Sequence, residues 1–149
     1  MDRQSSGGDP VPQGQRVAVV IPAKNESGRI GATVASAKTI PLVDLVLVVD
    51  DGSADQTRAK AQEAGAVVVR HSHNRGKAAA LETGAAIIAM RDVEGTPPRL
   101  LLFLDADLGE TAAGAAPLIK PVSRGVADFS IAVLPPQVGA AGRGTVVRL

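Results

Sequence analysis

Residues 100–107 read Leu-Leu-Leu-Phe-Leu-Asp-Ala-Asp, an apolar run that passes directly into two carboxylates. A run that is apolar at every position predicts a strand covered on both faces, as in a parallel sheet. Asp105 and Asp107 stand at i and i+2, so in extended backbone they point to the same side. Such a pair predicts a site for a hard divalent cation, since Mg²⁺ takes oxygen ligands, keeps several waters and completes its shell from substrate phosphates. The alternative interpretation is that Asp107 caps the following helix.

Other short runs rich in β-branched residues predict further strands of the same sheet. They lie at residues 17–21, 45–49, 66–69 and 129–133. Between them, Ile30, Val34 and Ala37 recur at the spacing of one helix face. Further helices are expected at 55–64, at 77–90 and at 111–122, where two prolines predict a short or broken helix.

This alternation of strands and helices predicts an α/β fold, a three-layer sandwich with a mostly parallel central sheet joined by right-handed crossovers. Ligands of such sheets bind outside the carboxyl ends of the strands. We therefore expect the functional residues directly after Ile21, Val49, Val69 and Leu104.

Composition limits the classes of protein that the chain can belong to. The 149 residues are 45% hydrophobic and 21% charged with a net charge of +1, which predicts one domain and, without a basic stripe, no nucleic-acid partner. No cysteine is present, which excludes disulfides, a thiol nucleophile and cysteine-ligated zinc. No apolar run approaches the roughly 20 residues of a transmembrane helix. With no signal-like start, a soluble cytoplasmic protein is expected.

The first residues differ from the rest of the chain. Residues 1–15 are rich in Gly, Ser, Pro and Gln, which predicts a flexible tail before a domain at 16–149. Only two aromatic residues, Phe103 and Phe129, are present. A bound base or sugar is therefore expected to be held by hydrogen bonds and aliphatic contacts rather than by stacking.

The segment after the second predicted strand is Asp50-Asp51-Gly52-Ser53-Ala54-Asp55. Gly52 permits a tight turn, and Ser53 or Asp55 is expected to cap the next helix. Two adjacent carboxylates repel each other, and one suffices for a turn. Asp50 and Asp51 are therefore candidate functional residues.

The segment before the third predicted helix is His71-Ser72-His73-Asn74-Arg75-Gly76-Lys77. Two cations flank a glycine at a helix N-terminus, where free N–H groups attract anions, so a phosphate or diphosphate is one expected ligand. A solvated polar loop is the alternative. His71 and His73 are interpreted as loop residues rather than as metal ligands.

The first predicted strand is followed by Pro-Ala-Lys-Asn-Glu at 22–26, not by a glycine-rich turn. Neither the dinucleotide-binding pattern nor the P-loop pattern occurs in the chain. The two commonest nucleotide-binding folds are thus disfavoured.

Four segments together resemble the successive motifs of family-2 glycosyltransferases with the GT-A fold. They are VVIPAKNE at 19–26, VVDDGSADQT at 48–57, NRGKAAAL at 74–81 and LFLDAD at 102–107. Among members of that family, the chain looks most like those acting on polyprenyl phosphate or phosphoglycerate acceptors. A lipid-linked acceptor would imply peripheral association with a membrane surface.

The resemblance implies a hexosyltransferase that takes a UDP- or GDP-sugar donor and uses Mg²⁺ or Mn²⁺. It implies that Pro22, Ala23 and Glu26 line the nucleotide pocket and that Asp51 contacts the base or ribose. Gly76, together with the lysine that follows it, would face the base and the diphosphate.

The resemblance also implies that Asp105 and Asp107 form the D-x-D pair of this family. Asp107 would be the direct metal ligand, and Asp105 would contact the ribose and the metal-bound waters. A preplaced cation together with Lys77 would stabilise the charge that builds up on a departing nucleoside diphosphate.

The chain departs from the family pattern after the D-x-D segment. Members normally continue with a part that supplies the acceptor site, whereas residues 134–144 read here as a loop and 145–149 as the opening of a further element. This predicts a donor-binding half that is truncated at its C-terminus. Glu110 and Asp128 are the last two acidic residues, and neither is assigned as the catalytic base.

Three functions remain open from the sequence. The first is a metal-dependent glycosyltransferase. The second is a non-catalytic nucleotide-sugar-binding module that lacks the general base. The third, a nucleotidyltransferase or other nucleotide-binding α/β enzyme, is disfavoured because its glycine-rich loop is missing.

Overall fold

The computed structural model describes residues 13–124, 129–131 and 144–147. Its strands are β1 (Val17–Ala23), β2 (Val43–Asp50), β3 (Val67–Arg70), β4 (Leu100–Leu104), β5 (Phe129–Ile131) and β6 (Gly144–Val147). Its α-helices are α1 (Ile30–Ala37), α2 (Thr57–Glu63), α3 (Lys77–Arg91) and α4 (Ile119–Ser123). A 3₁₀ segment, Ala106–Leu118, connects β4 to α4.

The strands form one six-stranded sheet in the order β3-β2-β1-β4-β6-β5. Strand β1 pairs parallel with both β2 and β4, and β2 pairs parallel with β3. Strand β6 runs antiparallel to both β4 and β5. The predicted α/β fold with a mostly parallel sheet is confirmed.

Helices cover both faces of the sheet, which is why its strands are apolar without alternation. On one face, Val19 and Ile21 pack in a cluster with Ile30 and Val34 of α1. On the other face, Val20 packs in a cluster with Ile88 of α3. Burying a side chain of this size contributes about 1.5–3 kcal/mol, so this two-sided core supplies most of the driving force for folding.

Helix α3 approaches β1 closely because it carries a glycine at the contact. A Cβ added at Gly84 would lie 2.4 Å from Val20 Cγ1. Any larger residue at position 84 would therefore push α3 away from the sheet, and with it the loop that precedes α3.

The predicted elements agree with the structure, with differences mainly at their ends. The second helix begins at Thr57, not at Asp55, and the segment expected at 111–122 is broken as predicted, into the 3₁₀ segment and α4. Gln15, assigned to the tail from the sequence, is buried and donates from Nε2 to Pro98 O at 3.1 Å. The rest of the predicted tail, residues 1–12, lies outside the described residues, as do 132–133 of the fifth predicted strand.

The residues near the C-terminus form one more strand. Residues 145–149 were expected to open a further element, and 144–147 form β6, which lies in the sheet between β4 and β5. Val146 pairs there with Leu102 of β4. Most of the loop predicted at 134–144, and Asp128, lie outside the described residues.

Candidate functional site

A cleft of about 340 Å³ lies at the carboxyl ends of β1, β2 and β4, where the topology of the sheet predicts a ligand site. All eight residues to which the family resemblance gave a role in the site line this one cleft. The lining residues are Pro22, Ala23, Lys24, Glu26, Asp51, Asn74, Gly76, Lys77, Ala80, Asp105, Ala106 and Asp107.

The wall after β1 is fixed by hydrogen bonds from the loop after β2. Asn25 N donates to Ser53 Oγ at 2.9 Å, and Ala54 N donates back to Asn25 Oδ1 at 2.9 Å. Glu26 N donates to Thr57 Oγ1 at 2.8 Å. Asn25 holds a positive φ of 53°, which asparagine tolerates better than most residues. These bonds fix the direction in which the 22–26 segment enters the cleft.

Ser53 and Asp55 both join the loop after β2 to the loop after β1, Asp55 through Oδ2, which accepts from Ser27 N at 3.3 Å. The N-cap position of α2 is Gln56, whose side chain makes no capping hydrogen bond, so Ser53 does not cap the helix. Asp55 does satisfy the first N–H group of α2, because its Oδ1 accepts from Thr57 N at 3.0 Å. The hydrogen bond from the Thr57 hydroxyl, aided by backbone N–H groups, lowers the pKa of Asp55 to about 2. The carboxylate thus stays ionised while it holds the loop.

The next wall of the cleft is held by hydrogen bonds to the carboxylate of Asp51. Its Oδ1 accepts hydrogen bonds from His71 Nδ1 and from Arg75 N, both at 2.8 Å, and its Oδ2 accepts one from Gly76 N at 2.9 Å. Burial acts to raise the pKa of Asp51, but the hydrogen bonds from these three donors outweigh it and the pKa lies below its ordinary value. Asp51 is therefore an ionised carboxylate that orders the 71–77 loop through these hydrogen bonds.

Asp50 has a different role from its neighbour. Its Oδ1 accepts a hydrogen bond from Ser53 N at 3.0 Å, and its Oδ2 lies 3.8 Å from Arg70 Nε. Asp50 is buried and does not line the cleft. Asp50 therefore holds the turn, and Asp51 faces the loop before α3.

Gly76 and Lys77 bring the start of α3 to the cleft. Gly76 has φ 93° and ψ 163°, a region that only glycine adopts readily, and this conformation aims its N–H at Asp51. Lys77 Nζ lies 2.6 Å from Asp105 Oδ1, so the cation of one wall already contacts the acidic pair of the opposite wall.

The acidic pair itself is held by α1. Thr33 Oγ1 donates to Ala106 O at 2.7 Å and accepts from Gly109 N at 2.8 Å. One turn later, Ser36 Oγ donates to Glu110 O at 2.8 Å and accepts from Ala113 N at 2.9 Å. Two hydroxyls on one face of a helix thus fix the backbone on which Asp107 is mounted.

The donor set fits a divalent cation that shares its ligands with a substrate. Asp107 is partly exposed in the cleft, with Arg29 Nη1 4.0 Å from its Oδ2. No group of three or more His, Cys, Asp or Glu side chains suited to a metal lies within residues 13–124 or the two short described segments. Two carboxylates without a third protein ligand suit Mg²⁺, which prefers to keep waters and phosphate oxygens in its shell.

Sequence reasoning missed the residues that support this site. His71 lies in the loop after β3, as it was interpreted, but the sequence did not indicate that it is buried and bonded at both ring nitrogens. Thr33 was not singled out, because a threonine on a helix face carries no signal of a distant backbone partner. For His71, the position directly after a predicted strand was the available signal.

These features place the chain in a known class. The model of the family described as "Glycosyl transferase family 2" matches residues 18–142. The chain belongs to glycosyltransferase family 2, and its fold is the GT-A fold predicted from the motifs. The family match favours the first two of the three functions left open by the sequence.

Individual relatives narrow the comparison. An uncharacterized protein of Methanocaldococcus jannaschii is 36% identical over 106 residues, which are 71% of this chain and 41% of that protein. The glucosyl-3-phosphoglycerate synthase of Mycolicibacterium smegmatis is 35% identical over 102 residues, 64% of this chain and 32% of the enzyme. The chain thus spans less than half the length of these relatives.

Solved structures of the Mycobacterium tuberculosis glucosyl-3-phosphoglycerate synthase are similar to this fold. One, in complex with Mn²⁺, UDP-glucose and phosphoglyceric acid, has a TM-score of 0.62 at 30% identity and covers 75% of this chain and 40% of the enzyme. Another, in complex with Mg²⁺ and UDP, has a TM-score of 0.60 at 30% identity, covering 73% and 40%.

Proposed function

We propose that the cleft binds a nucleoside-diphosphate sugar, with UDP-glucose as the leading donor, and that the chain acts in hexosyl transfer to a small phosphorylated acid. The observation that carries the proposal is the convergence of Asp51, Lys77, Asp105 and Asp107 from three separate segments on one cleft. The bound UDP and UDP-glucose of the structural relatives support the donor class.

The donor would lie with its diphosphate between the lysine and the acidic pair. Lys77 Nζ is an exposed cation at the N-terminus of a 15-residue helix, and both its charge and its position favour an anion. Pro22 and Ala23 offer an aliphatic wall, in keeping with a pocket that has no aromatic lining residue. Asp51 is the group proposed to meet the base or ribose.

Asp107 would hold Mg²⁺ or Mn²⁺, with Asp105 taking part through the ribose and metal-bound waters. When bound, the cation neutralises the charge that develops on the leaving diphosphate. The protein's own contribution has two parts. Thr33 fixes the backbone that carries Asp107, and Lys77 lies close enough to the acidic pair to reach the diphosphate oxygens as well.

Two acceptor classes were open from the sequence, a polyprenyl phosphate and a small phosphorylated acid. The phosphoglyceric acid in a complex of the Mycobacterium tuberculosis enzyme supports the second. Within the described residues, no helix is long and apolar enough to cross a bilayer. A peripheral membrane association has no supporting observation.

A nucleotide-sugar-binding module without turnover is the second candidate function. It needs only the donor cleft described above, and no acidic residue of that cleft is assigned as a catalytic base. The difference between the two candidates is whether bound donor is consumed.

Calorimetry with UDP and GDP, with and without Mn²⁺, tests the donor site first. Binding of UDP that requires Mn²⁺ and is lost in Asp107→Ala, but retained in the control Glu94→Ala, supports the proposal. Glu94 is exposed and does not line the cleft, so it matches the charge change alone. Absence of UDP and GDP binding by the folded wild-type chain would refute both candidate functions.

Turnover then separates the two candidates. UDP-glucose is incubated with Mn²⁺ and either 3-phosphoglycerate or a polyprenyl phosphate, and release of UDP is measured. Product with 3-phosphoglycerate supports hexosyl transfer to a small acid. Tight binding of UDP-glucose with no product from either acceptor supports the binding module instead.

A further inference from the structure

His71 lies directly after β3 and connects the carboxylate of Asp51 to helix α3. Its Nδ1 is 2.8 Å from Asp51 Oδ1, and its Nε2 is 2.9 Å from Thr83 Oγ1. Because an ionised carboxylate only accepts hydrogen bonds, Nδ1 carries the proton and donates the hydrogen bond to Asp51. The ring is buried, and both of its nitrogens are satisfied by these two partners.

The partners of His71 lead directly to the cleft. Asp51 accepts the His71 bond on the same oxygen that accepts Arg75 N, while its other oxygen accepts Gly76 N. Both N–H groups belong to the segment that delivers Lys77 to the site. The orientation of the Asp51 carboxylate therefore sets the conformation of that segment, and His71 sets the orientation of the carboxylate.

We propose that His71 is a positioning residue of the nucleotide site: through Nδ1 it clamps the Asp51 carboxylate in the orientation that orders the 74–77 segment before the donor arrives. This proposal rests on the proposed donor site for its functional consequence, but the clamp itself is testable without any ligand. An ordered loop binds its ligand more tightly because less conformational entropy is lost on binding.

A second histidine in the same loop provides the matched control. His73 is exposed, and its Nδ1 lies 3.1 Å from Ser72 Oγ, with no contact to Asp51. A substitution at His73 thus changes the loop's composition by the same side chain without touching the clamp.

Two substitutions at His71 separate the arms of the clamp. In His71→Asn, the amide nitrogen falls near the position of Nδ1 and keeps the donor to Asp51. In His71→Gln, the longer amide reaches toward Thr83 and leaves Asp51 without this donor. If the bond to Asp51 is what positions the loop, His71→Asn retains function and His71→Gln does not.

The first measurement is amide hydrogen exchange of the ligand-free protein. We expect the Arg75 and Gly76 amides to lose protection by about tenfold or more in His71→Gln, because a carboxylate that the ring no longer holds can turn away from these two N–H groups. Protection of the β1 amides, which reports global folding, should stay unchanged, and His73→Gln should match the wild type. Equal protection of Arg75 and Gly76 in His71→Gln and wild type would overturn the proposal.

The second measurement is UDP affinity by calorimetry in the presence of Mn²⁺. We expect His71→Gln to bind UDP at least about tenfold more weakly, His71→Asn within about threefold of the wild type, and His73→Gln like the wild type. Lost protection with unchanged UDP affinity would overturn the positioning role. If the wild-type chain binds no UDP, the donor proposal fails while the exchange data still decide whether His71 orders the loop.

Discussion

Replacing Thr33 by valine tests how the acidic pair is held, because valine keeps the shape of threonine and removes only the hydroxyl. Thr33 is fully buried, and its Oγ1 bridges Ala106 O at 2.7 Å and Gly109 N at 2.8 Å. A third contact, to Arg29 O at 3.0 Å, adds little because that carbonyl also accepts the backbone N–H of Thr33.

The expected destabilisation follows from the two bridged groups. A buried polar group that loses its partner costs about 1–3 kcal/mol, so for two such groups we expect Thr33→Val to lower the free energy of unfolding by about 2–6 kcal/mol. This is a large share of the roughly 5–15 kcal/mol that holds a typical domain folded. Thr33→Ser keeps the hydroxyl and should recover most of the loss.

Urea denaturation followed by far-ultraviolet circular dichroism measures the change, since the chain has no Trp or Tyr to serve as a fluorescent probe. The control is Thr39→Val on the exposed threonine just beyond α1, whose hydroxyl bonds Ser36 O next to solvent. We expect the slope of the transition to be the same for all variants. A Thr33→Val protein within about 0.5 kcal/mol of the wild type, the range of ordinary surface substitutions, would refute the reasoning.

Three further predictions concern the cleft and its loops. Asp107→Ala should lower transfer of sugar by at least about 100-fold, since about 1.36 kcal/mol of lost transition-state stabilisation is tenfold in rate, with the unfolding midpoint unchanged; unchanged turnover would contradict it. Gly76→Ala should cost about 1–3 kcal/mol in urea denaturation through backbone strain alone, because the space around a Cβ there is open, and a neutral result would show that the loop relaxes. Asp55 has its pKa lowered from 3.8 to about 2, so its contribution to stability is present above pH 3.8 and is lost as the pH falls toward about 2. Unfolding measured across that pH range should show a shallower loss of stability in Asp55→Asn than in the wild type, and parallel curves would exclude this contribution.

The sheet could be predicted from the sequence because both of its faces are buried. Continuous runs such as Leu100–Leu104 have no amphipathic alternation, and that pattern identifies a covered parallel strand even without an alignment. Strand β6 could not be predicted, because four residues, Gly144–Val147, are too few to distinguish a strand from the start of another element. Its place in the sheet depends on long-range pairing with β4.

The position of the cleft could be predicted for a related reason. The carboxyl ends of parallel strands meet at one edge, so residues that follow separate strands, such as Asp51 and Asp105, had to come together. What the sequence could not provide is the direction of each hydrogen bond. Ser53 satisfies the rules for a helix cap, and only the position of Asn25 across the loop decides that it bonds there instead.

The contact between Lys77 and Asp105 has a consequence for how the site would assemble. Lys77 Nζ lies 2.6 Å from Asp105 Oδ1, so with no further anion present the ammonium group would compete with the metal-bound waters for the Asp105 carboxylate. A diphosphate removes this conflict, because its oxygens offer Lys77 a second partner and add ligands to the cation. The proposed metal and nucleotide should therefore bind cooperatively, and each should raise the affinity of the other by the same factor. A lysine and an aspartate in contact across the cleft are thus consistent with a site that is completed by its substrate.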